Sequence, residues 1–321
     1  MIEHIQKQMT VPRECHNQRV DSVIAHLIPE YSRSQISGWI KTGAVLLNQK
    51  ACKPKDKALD GDQIEINVDV SSIDSTFSFC EAENIPLNVV FEDEDVLVIN
   101  KPAGLVVHPG AGNREHTLVN ALLYHAPLLQ HLPRAGIIHR LDKDTSGLLI
   151  IAKNLIAHTS LIRQMQAREI QRHYITLVQG HIISGGTMDT AYGRHPRNRL
   201  KMAVTGQGRQ AITHYSVKKQ YNEYTLLDVR LMTGRTHQIR VHLSHINHSV
   251  VGDQLYGGRM RFPLHADDSL RALLQQFKRQ ALHACTLAFH HPKTNEELTF
   301  SAPLPDDFQL LLHALDQHYE G

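Results

Sequence analysis

Residues 137–152 read Ile137-Ile138-His139-Arg140-Leu141-Asp142-Lys143-Asp144-Thr145-Ser146-Gly147-Leu148-Leu149-Ile150-Ile151-Ala152. Two apolar runs of strand length enclose a polar segment, the pattern of buried strands joined by a turn. Loops held between strands are where proteins place reactive groups. Asp142, flanked by the cations Arg140 and Lys143, is read as an anion suited to act as a nucleophile or to stabilise positive charge. An ordinary salt-bridged turn has the same letters.

Working outward, Val89-Val90-Phe91, Val96 to Ile99, His173 to Val178, Ala211 to Val217 and Tyr224 to Leu231 are strand-like. Leu118 to Leu123 is helix-like, and Ile239, Leu243 and Ile246 form the buried stripe of a short helix. The fold class is α+β with a mostly antiparallel sheet and flanking helices, not a regular alternation of strand and helix. Upstream, Ser71 to Thr76 is small, polar and without periodicity, as a linker is. Two domains are expected, 1–75 and 76–321. In the first, Val20, Val23, Ile24 and Leu27 share a helical face, and Ser32 to Gln35 has the form of a capping box opening a second helix through Ile36 and Ile40. Strands follow at Ala44 to Asn48 and Gln63 to Val68. Arg33, Lys41, Lys50, Lys53 and Lys55 give this module a basic edge.

The 321 residues are 41% hydrophobic and 21% charged. With a mean hydropathy of −0.30 and no apolar run longer than Leu148 to Ala152, no membrane span is expected. The first ten residues lack a signal-peptide pattern, and the four cysteines at 15, 52, 80 and 285 are too scattered for a disulfide framework or a zinc knuckle. A reducing, cytoplasmic setting is expected. The net charge of +2 conceals an asymmetry: residues 134–240 carry 17 Lys/Arg against 6 Asp/Glu, a net of +11. Such a concentration marks a polyanion-binding surface or a solvated basic face, and charge alone does not separate the two.

Kinase chemistry is excluded because the order is His-Arg-Leu-Asp and neither a glycine-rich phosphate loop nor Asp-Phe-Gly occurs. In Arg235-Thr236-His237-Gln238-Ile239-Arg240-Val241-His242, Arg240 follows the apolar Ile239 and is read as facing away from the stripe, free to reach a carboxylate or phosphate. His237, His242, His245 and His248 lack accompanying cysteine or acidic ligands at metal spacing, so they are read as solvated or RNA-facing, with no metal.

His139 to Gly147, together with Lys101 to Gly110 upstream and Gly234 to His242 downstream, closely resembles the RluA family of pseudouridine synthases. Arg19 to Asp21, Ser32 to Ser34, Gly43 to Asn48 and Asp60 to Asp62 resemble an S4 RNA-binding domain. Together the resemblances cover nearly the whole chain and imply an S4-like module followed by a pseudouridine synthase domain. By resemblance, Asp142 is the catalytic aspartate, Tyr174 stacks on the uracil and assists proton transfer, and Arg240 pairs with the aspartate, with Arg235 as a substitute. Arg140 fills the space left by the extruded nucleotide. The family's K-x-Y-x-A pattern is altered here by Arg172 and Thr176. RNA contacts are expected from Arg140, Arg235, Arg33, Ser34, Lys50, Arg197, Arg199 and Lys201. The implied partner is large-subunit rRNA or the pre-ribosomal large subunit. The implied reaction is a redox-neutral isomerisation needing no small-molecule cofactor. A non-catalytic RNA-binding or ribosome-assembly protein of the same fold is the alternative.

Overall fold

A computed structural model describes residues 2–28, 31, 33–71, 80–110 and 112–320. They cluster into two units, residues 1–81 with 127–135, and residues 82–126 with 136–321. The division after residue 81 lies six residues beyond the expected boundary, and the short segment 127–135 groups with the first unit. Beyond Ser71 the expected linker lies outside the described residues, as does Ser32 of the expected capping box.

The first unit contains β1 (Ile2–Thr10), β2 (Gln18–Arg19), α1 (Val20–Leu27), α2 (Arg33–Lys41), β3 (Val45–Leu47), β4 (Lys50–Ala51), β5 (Lys57–Ala58) and β6 (Gln63–Ser71). Four of these form a sheet in the order β1-β6-β3-β4, while β2 pairs with β5. Val20, Val23 and Ile24 of α1 and Ile36, Trp39 and Ile40 of α2 are buried with Val45, Ile64 and Ile66 of the sheet. Strand β1 escaped the sequence reading. Its apolar residues Ile2, Ile5 and Met9 fall at helical rather than alternating spacing, and as an edge strand it is held by one neighbour, β6.

The second unit contains β7 (Val89–Glu92), β8 (Val96–Lys101), α3 (Leu118–His125), β9 (Ser146–Ala152), α4 (Leu155–Ala167), β10 (Gln171–Gln179), β11 (Gly186–Arg194), β12 (Met202–Val204), β13 (Arg209–Gln220), β14 (Tyr224–Leu231), α5 (Gln238–His245), α6 (Asp268–Gln276), β15 (Leu282–His290), β16 (Glu297–Ser301) and α7 (Asp306–Glu320). Ten strands make one sheet, ordered β12-β11-β13-β14-β10-β15-β9-β8-β7, with β16 also paired to β15. Every pairing is antiparallel except β9 with β15.

All seven residues of β9 are buried, which is why Leu148 to Ala152 reads as an unbroken apolar run rather than an alternating one. Leu148, Ile150 and Ala152 pack with Ala157 and Leu161 of α4 and with Leu287 and Phe289 of β15. The polar segment 139–145 is therefore anchored at the start of a fully buried strand with a neighbour on each side. Ile137 and Ile138, read as a strand, do not form one. Arg134 and Ala135 adopt left-handed backbone at φ 55° and 51°, and Ile137 makes a single antiparallel bridge, to Ile151 of β9.

Gly147 is required by close approach. Its φ is +117°, and a Cβ there lies 2.3 Å from the carbonyl oxygen of Ala284, at the parallel β9–β15 contact. Gly147→Ala forces apart the two strands carrying the segment, at an expected cost of roughly 3 kcal/mol. Thermal melting should fall by about 5–10 °C. An unchanged melting temperature refutes this account of the glycine.

Candidate active site

Asp142 is held at its main chain before any side chain is considered. Thr145 N–H donates to the Asp142 carbonyl at 3.1 Å, closing a turn, and Gln280 Nε2 donates to Thr145 Oγ1 at 3.0 Å. The next carbonyl, that of Lys143, accepts from Gly104 N–H at 2.9 Å and from Lys101 Nζ at 3.0 Å. Lys101 is fully buried and also donates to the carbonyls of Pro102 and Leu105 at 2.6 and 3.0 Å. One ammonium thus ties two loops together. Burial, partly offset by Asp144 and Asp142, brings its pKa down to about 7.

The Asp142 side chain is 15% exposed, and its Oδ2 accepts from Arg240 Nη1 at 2.9 Å. Arg240 is itself held by Asp253, Nε to Oδ2 at 2.7 Å and Nη2 to Oδ1 at 2.9 Å. This fork-to-fork geometry leaves Nη1 for Asp142. Asp253 also accepts the N–H groups of Leu255 and Tyr256 at 2.9 and 3.0 Å, and its side chain is wholly buried. Burial pushes the Asp253 carboxyl up, but Arg240 and the two N–H groups outweigh it and hold it below the usual carboxylate range. Burial pulls the Arg240 guanidinium down, and its two carboxylates more than reverse that.

Arg240 thus reaches a carboxylate, as expected, and pairs with Asp142, but it does so from a buried position and not from an open face. Residues 238–243 of α5 are all buried, so the helix has no open face at that position, and the chief partner of Arg240 is Asp253. No motif singled out Asp253, which lies 13 residues from Arg240 along the chain.

Two hollows adjoin this pair and share Arg140, Leu141, Asp142, His237 and Arg240 in their walls. One continues to Tyr174, Leu231 and Arg235. The other, about 350 Å³, continues to Val106, Val107 and Leu255, a volume suited to a small ligand. Tyr174 projects from β10 and is 4% exposed, and its burial pushes the phenol's pKa up, so the group stays protonated. Arg140 is exposed at the rim, and Arg235 is half-buried with Nε donating to the Gln210 carbonyl at 3.2 Å.

The other expected RNA contacts are scattered. Arg197 and Arg199 are exposed in the turn between β11 and β12. Lys201 is half-buried, its Nζ 5.8 Å from the Tyr256 ring centroid. In the first unit, Arg33 donates to Asp21 Oδ1 at 2.8 Å while Arg19 donates to Asp21 Oδ2 at 2.7 Å. Burial raises the Asp21 carboxyl, but the two guanidinium groups outweigh it and hold it low. Arg33 is thus engaged within its own unit. Lys50 is exposed, and the Ser34 side chain lies outside the described residues.

Of the four histidines, His242 departs from the solvated or RNA-facing reading. His242 is buried, with Nε2 and Nδ1 hydrogen-bonded to Thr190 and Thr213 at 3.0 and 2.9 Å, and burial draws its pKa down to about 4. His248 Nδ1 meets the Gln179 carbonyl at 3.0 Å, and His245 is exposed. His237 belongs to the site: it lines both hollows, and its Nε2 is 3.9 Å from Asp142 Oδ1.

A mostly antiparallel sheet that sets a carboxylate, its arginine and a buried tyrosine in the walls of adjoining hollows has the make-up of an enzyme active site, and the chain belongs to the RNA pseudouridylate synthase family. That family's model matches residues 95–245, and the S4 domain model matches residues 18–64. The chain is 50% identical over 309 residues to the ribosomal large subunit pseudouridine synthase D of Xanthomonas campestris pv. campestris, covering 96% of this chain and 92% of that protein. It is 51% identical over 310 residues to the protein of the same description from Haemophilus influenzae, covering 96% and 94%. With that from Escherichia coli (strain K12) it shares 46% over 321 residues, covering 100% and 97%. Among solved structures, human RNA pseudouridylate synthase domain containing 4 superposes with a TM-score of 0.56 at 25% identity, covering 71% of this chain and 92% of that one. Human RNA pseudouridylate synthase domain containing 1 gives 0.53 at 27%, covering 73% and 96%.

Proposed function

We propose that this chain isomerises uridines of large-subunit ribosomal RNA to pseudouridine, with Asp142 acting on an extruded nucleotide. The observation that carries the reading is the Asp253–Arg240–Asp142 array set against a hollow walled by Tyr174. In the isomerisation the N1–C1′ bond of uridine breaks, the uracil turns, and a C5–C1′ bond forms. The proton lost from C5 is balanced by one gained at N1, so no oxidant and no outside group take part. Cleavage develops positive charge on the sugar, and a fixed carboxylate stabilises or captures it. Tyr174 supplies an aromatic face for the freed base, and exposed Arg140 supplies a side chain long enough to occupy the vacated stack.

The reading is tested by incubating the purified chain with large-subunit rRNA and with large-subunit particles, then mapping pseudouridine. New pseudouridine at defined positions supports it. Its absence from both substrates, with RNA still bound, favours a non-catalytic RNA-binding or assembly protein. Among the described residues no helix is long and apolar enough to cross a membrane.

Arg197 and Arg199 bear on how the RNA is held. Replacing both with Ala is expected to lower the slope of log affinity against log salt by about 0.7 for each lost single-strand phosphate contact. The single-turnover rate at saturating RNA should stay near wild type. A lost chemical rate with an unchanged salt slope contradicts the phosphate assignment.

A further inference from the structure

His237 precedes α5 with a φ of +60°, a left-handed conformation uncommon outside glycine and one that clusters at functional sites. Its side chain lines both hollows. Nδ1 lies 2.8 Å from the Tyr256 hydroxyl, and that hydroxyl accepts the Met202 main-chain N–H at 2.8 Å. Burial raises the pKa of the Tyr256 phenol, so the O–H is retained, and among the described residues its hydrogen-bond acceptor is Nδ1 of His237. A neutral imidazole accepting at Nδ1 carries its own proton on Nε2. The ring is kept neutral chiefly by burial, aided by Arg240 and Arg140 and opposed by Asp142 and Asp253. Nε2–H then faces Asp142 Oδ1 at 3.9 Å, an electrostatic contact longer than a hydrogen bond, while Oδ2 is taken by Arg240.

The two oxygens of Asp142 are thereby made unequal. We propose that His237 and Tyr256 are positioning residues for Asp142: Tyr256 fixes the imidazole tautomer that turns an N–H toward Oδ1, and Oδ1 is the oxygen presented to the target nucleotide. The proposal rests on the isomerase reading above. Tyr256 also has Arg240 over its ring at 5.1 Å, so one side chain touches the supports of both carboxylate oxygens.

The tautomer claim is separable from simple packing, because a Gln amide nitrogen mimics Nε2–H whereas an Asn amide nitrogen falls nearer Nδ1. In the full chain, His237→Ala, His237→Gln, His237→Asn and Tyr256→Phe are compared by single-turnover rate at saturating rRNA fragment, by RNA dissociation constant and by melting temperature. Misdirecting a reacting group is expected to slow the chemical step by about 10²-fold in His237→Ala and His237→Asn, with most of the rate restored in His237→Gln. Tyr256→Phe, which keeps the ring but frees the tautomer, is expected to lose roughly tenfold. RNA affinity should change little. Equal rates for the Gln and Asn variants, an unchanged rate in Tyr256→Phe, or losses confined to affinity or melting temperature overturn the proposal. Should His237→Ala fail to fold, the Gln and Asn pair still decides. Failure of this proposal leaves the wild type active and Asp142→Asn inactive, whereas failure of the isomerase reading leaves the wild type itself without pseudouridine formation.

Discussion

Asp142→Asn is expected to fold, to bind RNA as the wild type does, and to lose at least about 10⁴-fold of its isomerisation rate, the usual scale when a central catalytic group is removed. The amide is nearly isosteric and retains an oxygen to accept from Arg240 Nη1. The turn made by the Asp142 carbonyl and Thr145 N–H, and the clamp of Lys101 on the Lys143 carbonyl, involve main-chain atoms and survive the change. What disappears is the negative charge that stabilises or captures the sugar cation. Single-turnover kinetics with matched melting curves provide the measurement. A rate within tenfold of wild type removes Asp142 from the centre of the chemistry.

Arg240→Ala should damage both chemistry and stability, because one guanidinium serves two carboxylates. The chemical step is expected to fall by about 10²-fold, since Oδ2 of Asp142 loses its anchor. Asp253, its side chain fully enclosed, becomes a buried anion without its cation, a loss of roughly 3–5 kcal/mol. The pH dependence identifies the cause. In the wild type the folded-state pKa of Asp253 is lowered, so its contribution to stability is present above the unfolded-state value near 4 and is lost as pH falls through the folded one. Without Arg240, burial prevails and that pKa rises. The melting-temperature deficit of Arg240→Ala should then be largest at neutral pH and narrow on acidification, and adding Asp253→Asn should recover part of it. A pH-independent deficit assigns the loss to packing instead. The salt dependence of RNA binding should be near wild type, because Arg240 is buried.

The strands around the site were legible wherever burial imposes a simple pattern. Leu148 to Ala152 and Tyr224 to Leu231 lie in interior strands of the sheet; the first is apolar throughout because every residue is enclosed, and the second is apolar except at Thr225 and at the half-buried Asp228 and Arg230. Ile137 and Ile138 have the same apolar character, yet Ile137 makes only a single bridge, to Ile151, and no strand forms there, so apolar character alone does not define a strand. Strand β1 shows the converse: an edge position demands little of its side chains, so its letters carry no alternation.

For the site, the sequence by itself determined the reactive turn, the family resemblance, and the candidates Asp142, Tyr174 and Arg240, because those residues lie in long ordered motifs. Only the tertiary structure decided what each is bonded to. Asp142 and Arg240 are 98 residues apart, and Asp253 and Tyr256 reach them from a segment with no distinguishing periodicity. A buried carboxylate and the guanidinium that neutralises it are obliged to meet in space, since either alone is costly away from water. Nothing obliges them to be near in the chain. The same holds for His237, whose letters permit a solvated or an RNA-facing ring. Enclosure, a left-handed backbone and the hydroxyl of Tyr256 direct it at Asp142, and each of these arises only when α5, β12 and the turn beginning at Asp253 are packed together.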